Sequence, residues 1–571
     1  MFFFFFFFFL VFFFFFFFFF FFFFFFFFFF FFWCMFLWVW FSFFFEWVIF
    51  SLNSCSFTMI FLFDWVSLIF MSFVFLISGC VFFYSIGYMS GDLNFVRFFY
   101  IVFFFVISMV LFILMPDFIC LLLGWDGLGL VSYCLVIYYQ NMSSLSSGLI
   151  TVFMNRLGDV FLIMCFGWCF NLGSFHFFFY LNFFDFDFPL FIYFILFASF
   201  TKSAQFPFSF WLPSAMSAPT PVSSLVHSST LVTSGIYLMI RFNYYFFNFD
   251  TFFLMLISLI TMFLSGLNAC VEMDLSKIIA FSTLSQLGFM FFVLSFGSFF
   301  LCFIHLLIHA VFKSMLFLCS GFFIHCFFGN QDIRLMGGLT VQCPYVSTCF
   351  CVSLICLCGF PFFSGFYSSD FILEMLILSD MGFFYFFFFC LSVGLTMIYS
   401  LRLIYYLFFS NSFFFSYISF SYCFYMNFSL FFLFFFSLFG GSLIFWLFFD
   451  FIYVVDYYLK FIPLLVFFLF FSFSFNFLKS FFFYSNFFFF FFFGSMWFLN
   501  YFSSFFFLGR FFSFSSFSYS LVDLGWLEYF ISSNLLGLMN WVSLSLGSIF
   551  LSSFYIYFFS YVFFFLFLYF I

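Results

Sequence analysis

An ionisable side chain inside a membrane-length apolar run is costly, so each one marks a place where charge is handled. Lys202 follows the apolar run Phe191 to Phe200. Four prolines, Pro207, Pro213, Pro219 and Pro221, then break the backbone, and His227 sits just inside the next apolar run. A lysine at a helix end, a broken connection and a histidine in the following helix are the parts of an ion path. His305, His309 and Lys313 are spaced i, i+4, i+8 and form one stripe on a helix. A His-x-x-x-His pair can bind metal, but no third ligand lies nearby in sequence and the lysine would repel a cation. A proton relay suits the stripe, because histidine titrates near neutral pH. Packed, hydrogen-bonded histidines are the other reading.

The carboxylates add to this set. Asp126 sits deep in an apolar run within Gly124-Trp125-Asp126-Gly127, either as a charge partner or as a loop carboxylate at a helix start. Arg156 and Asp159 are spaced i, i+3 and share a helix face, as a structural ion pair or as part of the same path. Asp370 and Glu374 are spaced i, i+4 after a second break, Gly359-Phe360-Pro361-Phe362-Phe363-Ser364-Gly365-Phe366. Asp274 and Lys277, at i, i+3, read as a surface pair. Moving one charge through the membrane field takes roughly 2.3 kcal/mol per 100 mV. Making or breaking a buried lysine–carboxylate pair is worth about 4 kcal/mol. The two are comparable, so switching such a pair is enough to drive a proton against a working membrane potential.

The elements that must hold these groups are membrane helices. The chain is 69% hydrophobic and 5% charged over 571 residues, with Phe at 158 of them. Soluble domains carry roughly 25% charged residues. Apolar runs of about twenty residues, each long enough to span a bilayer, recur throughout, so roughly 13–16 spans are expected. The alternation of a membrane β-barrel is absent. The net charge of −8 includes no basic stripe, which argues against nucleic acid as a partner. The 18 cysteines are scattered through apolar runs and read as small hydrophobes, not as zinc or iron–sulfur ligands. Positions 2–32 are Phe except Leu10 and Val11, as expected of a gene very rich in T at sites that accept any large apolar residue. No positive residue precedes Arg97, so the start is neither a standard signal peptide nor an Arg-rich transit peptide. So hydrophobic a chain is best made beside its membrane, which favours organelle or bacterial coding.

Along the chain, residues 1–60 read as one or two poly-Phe spans with a polar edge at Glu46 and Asn53. Residues 61–408 hold the charged core, in which the break after Lys202 is echoed about 155 residues later. Paired interrupted segments point to an inverted-repeat transporter with a site near the bilayer midplane. Residues 409–495 are further spans, 496–548 a more polar stretch with Arg510, Asp523 and Glu528 that lies along the membrane surface, and 549–571 a last anchoring span.

The ordered motifs carry a resemblance. Gly124-Trp125-Asp126-Gly127, Asn155-Arg156-Leu157-Gly158-Asp159, Lys202-Ser203-Ala204-Gln205, Trp211-Leu212-Pro213, Pro219-Thr220-Pro221-Val222-Ser223 and His227-Ser228-Ser229-Thr230 stand in family order. So do Lys277 to Thr283, Ser285-Gln286-Leu287-Gly288, His309-Ala310-Val311-Phe312-Lys313 and Gln331 to Gly338. From about Asp64 to Arg402 the chain closely resembles the chain 5 family of respiratory NADH–ubiquinone oxidoreductase (complex I), in its mitochondrial form. Beyond, the match rests on Asp523-Leu524-Gly525-Trp526-Leu527-Glu528.

The resemblance implies an all-α polytopic membrane protein with two inverted five-helix repeats (about 97–241 and 251–408), broken helices, a lateral amphipathic helix and a final anchoring span. It implies proton translocation across the mitochondrial inner membrane, coupled to electron transfer from NADH to ubiquinone in other subunits. It places Asp126 opposite Lys202 as charge partners, Asp159 near Asp126, and His227, His305, His309 and Lys313 on a central hydrophilic axis, with Arg156, Asp370 and Glu374 supporting or at the exit. No cofactor is expected in this chain; NADH, FMN, iron–sulfur clusters and ubiquinone belong to other subunits. The expected partners are other membrane-arm subunits, above all the neighbouring antiporter-like one, with membrane lipids, protons and water. Three departures from the pattern stand out: Asp126 for the usual glutamate, Ser276 for a basic residue, and Ser369 for the lysine before Asp370. A stand-alone monovalent cation/proton antiporter and a non-pumping structural arm subunit are the rival readings.

Overall fold

A computed structural model describes residues 18–34, 42–52, 55–170, 189–243, 251–379, 382–413, 423–448, 457–479, 487–502, 509–550 and 554–570. The chain divides into two units, 1–497 and 498–571. Among the described residues, nine helices are long and apolar enough to cross a membrane, and shorter apolar helices accompany them. Apolar sequence without water leaves the backbone one way to satisfy itself locally, the helix, and the described spans take it.

The first unit opens with α1 (Phe18–Cys34), a poly-Phe helix. Phe19, Phe22 and Phe26 are buried on one face, and Phe22 lies on Phe82 with ring centroids 5.3 Å apart. The rest of the expected N-terminal spans differs. Residues 1–17 and 35–41 lie outside the described residues, and β1 (Phe43–Leu52) and β2 (Cys55–Phe63) form an antiparallel hairpin, Glu46 opposite Ile60 and Phe50 opposite Phe57. The β-branched and aromatic run Trp47-Val48-Ile49-Phe50 favours an extended chain, and Glu46 and the serines shorten what hydropathy reads as a span. The hairpin also moves the next helix: α2 (Trp65–Tyr88) starts at Trp65, not Phe61. Asp64 caps it, its carboxylate accepting from the Ser67 N–H at 3.0 Å while its own N–H donates to Ser67 Oγ at 2.9 Å.

Around α2, which is buried almost throughout, the helices follow in order: α3 (Phe95–Leu114), α4 (Phe118–Val136), α5 (Met142–Phe170) and α6 (Pro189–Lys202). Pro116 ends α3, since it cannot continue the ladder. The α3–α4 hairpin is tight: a Cβ on Gly124 would lie 2.6 Å from the Phe112 backbone nitrogen. After Lys202 the chain runs through short turns, with Ala204 at φ 54°. A π-helical segment, Ser223–Thr230, then leads into α7 (Leu231–Arg241).

The second set comprises α8 (Phe252–Val271), α9 (Leu275–Ser295), α10 (Phe299–Cys326), α11 (Pro344–Cys358), α12 (Ser364–Leu378) and α13 (Phe383–Ile404). α9 and α10 are buried through their centres. α11 ends at Gly359, whose φ of 72° gives the left-handed cap, and α12 restarts at Ser364. This is the second broken segment. α14 (Phe424–Leu447) packs on α2 and α10, and α15 (Tyr457–Lys479) packs on α12 and α13.

The second unit, described by itself, is helical from 509 to 550, from Gly509–Ser518 through two π-helical stretches to Leu535–Phe550, and carries a last apolar helix, Phe554–Phe570. The expected surface stretch and anchor are helices there.

Candidate functional site

The first cluster forms where α4, α5 and α6 meet. Lys202 is fully buried at the end of α6, and its ammonium donates to the carbonyl oxygen of Trp125 at 3.1 Å while lying 4.8 Å from the centre of that ring. A cation over an aromatic face and on a carbonyl is partly compensated for lost water. The Trp125 indole N–H donates to Asp159 Oδ1 at 2.8 Å. Arg156 closes the cluster, with Nη1 3.0 Å from Asp159 Oδ2 and 3.5 Å from Asp126 Oδ2.

The expected Asp126–Lys202 partnership is not made by direct contact: among the described residues Asp126 lies within ion-pair distance of Arg156, and its charge acts on Lys202 from farther off. With one methylene fewer than glutamate, the Asp126 carboxylate stops where Arg156 projects from α5. Trp125 links the lysine to the acids instead, through its carbonyl on one side and its indole on the other. A Cβ on Gly129 would lie 3.4 Å from the Lys202 Nζ and 3.7 Å from the Asn155 Cβ, so this bare stretch of α4 leaves the lysine its room. Asn155 is buried there with neither amide atom hydrogen-bonded, and Asp126 Oδ1 likewise. Buried polar atoms of this kind are the ones that ordered water satisfies.

From Lys202 the polar line passes the broken connection. The Trp211 indole donates to the Thr201 carbonyl at 3.0 Å, and its ring lies 6.2 Å from the His227 ring. His227 lies in the π-helical segment, fully buried, with both ring nitrogens unbonded. A π turn widens the ladder and is frequent at functional sites. α10 packs directly against this segment.

On α10 the expected stripe is in place. Lys313 donates to Ser282 Oγ of α9. His309 follows one turn away, both nitrogens unbonded, between the His305 ring at 6.4 Å and the Phe312 ring at 5.5 Å. His305 is held at both ends, Nε2 by Gln286 Oε1 at 3.0 Å and Nδ1 by Ser368 Oγ at 2.9 Å. Behind it opens a cavity of about 70 Å³, lined by His305, Gln286, Ser285, Ser369 and Asp370 among apolar side chains. That is room enough for ordered water. Glu374 stands one turn beyond Asp370 on α12.

Reading by residue type and spacing finds the ionisable groups but not their neutral partners. Trp125, Gln286, Ser282 and Ser368 hold the row together; the first three stand in the motifs that carry the resemblance, which assigned them no role, and Ser368 had none either. An ion pair outside the row was also missed. Arg241 grips Asp64, donating to Oδ1 at 2.9 Å and to Oδ2, and Tyr237 OH accepts from Arg241 Nε at 2.8 Å. Burial alone would raise the Asp64 carboxyl; the charge and hydrogen bonds of Arg241 outweigh it and hold the group below the usual carboxylate range. Asp274 and Lys277 pair at 2.6 Å, both side chains more than a third exposed.

Three comparisons with known proteins agree. Residues 115–396 match the family described as NADH:quinone oxidoreductase/Mrp antiporter, TM; residues 47–99 match the complex I chain 5 N-terminus and 399–571 the NADH dehydrogenase subunit 5 C-terminus. NADH-ubiquinone oxidoreductase chain 5 of Aedes aegypti is 46% identical over 462 residues, covering 78% of this chain and 79% of that one. The Locusta migratoria chain 5 is 46% identical over 459 residues, covering 78% and 80%. Among solved structures, a chain of the Mrp complex from Dietzia superposes with a TM-score of 0.66 at 22% identity, over 78% of this chain and 52% of that chain. An archaeal membrane-bound sulfane sulfur reductase superposes at 0.62 and 18% identity, over 70% and 67%. At these identities the likeness is one of fold. The family matches and the identity with the curated relatives agree in one assignment: this chain belongs to the NADH-ubiquinone oxidoreductase chain 5 family.

Proposed function

We propose that this chain is a proton-translocating membrane-arm subunit of respiratory complex I. It moves protons across the mitochondrial inner membrane while other subunits pass electrons from NADH to ubiquinone, and it carries no redox cofactor itself. The observation that carries this reading is the buried row. Lys202, His227, Lys313, His309 and His305 are all at most 3% exposed, in a chain where every such group costs free energy. Structural helices need none of them.

The residues divide the work by their surroundings. Lys202 holds the entry charge, with Trp125 transmitting between it and the Arg156–Asp159–Asp126 cluster. His227 and His309, whose ring nitrogens have no hydrogen-bond partner among the described residues, are the sites where a proton or a water can attach. His305 hands on to the cavity and Asp370. The partners are the other membrane-arm subunits, including the neighbouring antiporter-like one.

The first test is the native size of the complex after gentle detergent extraction, with an in-gel NADH oxidation stain. A very large, NADH-oxidising band containing this chain is expected. A small, stain-negative particle would replace this reading with a stand-alone cation/proton antiporter, which the Mrp-type fold favours; sodium or potassium exchange in liposomes would then decide. Within the large complex, Lys202→Ala is expected to lower proton pumping and coupled turnover while assembly persists.

A further inference from the structure

The cavity behind His305 has a wall that the buried row does not use. α15 packs on α12 and α13, and its residues Ile462, Pro463 and Leu464 line the same cavity as Asp370. Two residues before this lining stands Lys460, exposed in the first turn of α15. Its charge acts on both Asp370 and Glu374. Pro463 has no N–H to give the Leu459 carbonyl, so one helical hydrogen bond is missing between the turn that carries Lys460 and the turn that lines the cavity.

Asp370 and Glu374 are one turn apart, and two carboxylates so placed disfavour each other's charged forms. A cation is needed for both to ionise in a partly buried site. Their own helix does not supply it. Ser369, beside Asp370, is neutral, and its hydroxyl donates to the Gly365 carbonyl at 2.8 Å. Lys313 lies two turns from His305 on α10, committed to Ser282. The cation whose charge acts on both carboxylates stands on the facing helix.

We propose that Lys460, on the facing helix, supplies the cation of the Asp370–Glu374 pair beside the cavity, at the proton exit that the resemblance implies for those two carboxylates. A proton held at His305 crosses the cavity to the Asp370 carboxylate and leaves it for bulk water. The Lys460 charge favours the ionised product, and no electrons move. The inference rests on the proton-translocating reading above.

The test is Lys460→Met in the assembled, membrane-embedded complex; methionine keeps the apolar stem. Proton translocation, measured per NADH-stained complex, is expected to fall about tenfold, the rate equivalent of roughly 1.4 kcal/mol. Ser369→Lys in the same chain is expected to restore it, because position 369 lines the same cavity. Lys460→Arg is expected to translocate as the parent does. Wild-type translocation by Lys460→Met, or a loss that neither Ser369→Lys nor Lys460→Arg avoids, would overturn the proposal. Lys202→Ala separates the two levels. If it impairs translocation while Lys460→Met does not, the path stands and Lys460 is outside it. If neither does, the translocating reading itself fails.

Discussion

Lys202 of α6 donates to the carbonyl oxygen of Trp125 at 3.1 Å, and the same tryptophan's indole donates to Asp159 at 2.8 Å. One residue of α4 therefore joins the buried cation to Asp159 of α5. The link is made by a main-chain acceptor that no side-chain substitution at Asp126 removes. Trp125→Phe cuts only the indole bond. It is expected to cost about 1–2 kcal/mol in thermal stability of the extracted complex and to lower proton translocation per complex while leaving Lys202 on its carbonyl. Asp126→Asn is expected to have the smaller effect on translocation, because the direct ion pair of Asp126 is with Arg156, at 3.5 Å. The comparison of the two variants in vesicles checks the order.

The α3–α4 hairpin that holds Trp125 depends on Gly124. An added Cβ would sit 2.6 Å from the Phe112 backbone nitrogen and 2.8 Å from its Cβ, and backbone cannot move aside as a flexible side chain can. Gly124→Ala is expected to destabilise by about 1–3 kcal/mol through overpacking. The readout is a fall in the amount of assembled complex. Gly167→Ala, where a Cβ meets nothing within 4 Å, is the control and is expected to assemble normally.

What the sequence reveals follows from the range of each interaction. His305, His309 and Lys313 are legible because a single helix fixes their spacing, and Lys202 and His227 because charge is scarce in this chain. The two breaks are legible from proline and glycine. The hairpin of β1 and β2 is not, since in so apolar a chain the strand residues Val48, Ile49 and Phe50 read equally as a span. Nor are the partners that join distant segments. Arg241 meets Asp64 across 177 residues, and Gln286 meets His305 from another helix. Asp126 shows the same limit: its type could be read, but which cation it reaches depends on how α4, α5 and α6 pack.

The Asp64–Arg241 pair carries a pH dependence. Arg241 holds the Asp64 carboxyl below its ordinary value, near 3.9 in an unfolded chain. A depressed folded value means that the stabilisation is fully present above that unfolded value and is lost as pH falls through the folded one. Thermal stability of the extracted protein is therefore expected to drop below about pH 4. Asp64→Asn is expected to lower stability by about 2 kcal/mol at neutral pH and to flatten the acid limb, because no carboxyl is left to titrate there. Melting curves across pH 3 to 7 for both proteins check the sign. An unchanged acid limb in Asp64→Asn would assign the drop to other groups.

Ser368 gives the last prediction. Its single hydroxyl proton has two acceptors, His305 Nδ1 at 2.9 Å and the Gly365 carbonyl at 3.1 Å. When it points to Nδ1, that nitrogen is an acceptor and Nε2 donates to Gln286 Oε1. When it points to Gly365, the serine oxygen accepts from Nδ1–H, and His305 can carry protons on both nitrogens. Rotation of one hydroxyl thus accommodates both charge states of His305 without a backbone move. Ser368→Ala leaves Nδ1 without a partner in a buried site, a penalty of about 1–3 kcal/mol on one state, whereas Ser368→Thr keeps the hydroxyl. Assembly is expected to survive in both. Translocation per complex is expected to fall in Ser368→Ala and to be retained in Ser368→Thr, which a role in helix packing alone would not separate, since alanine is the smaller and less disruptive change.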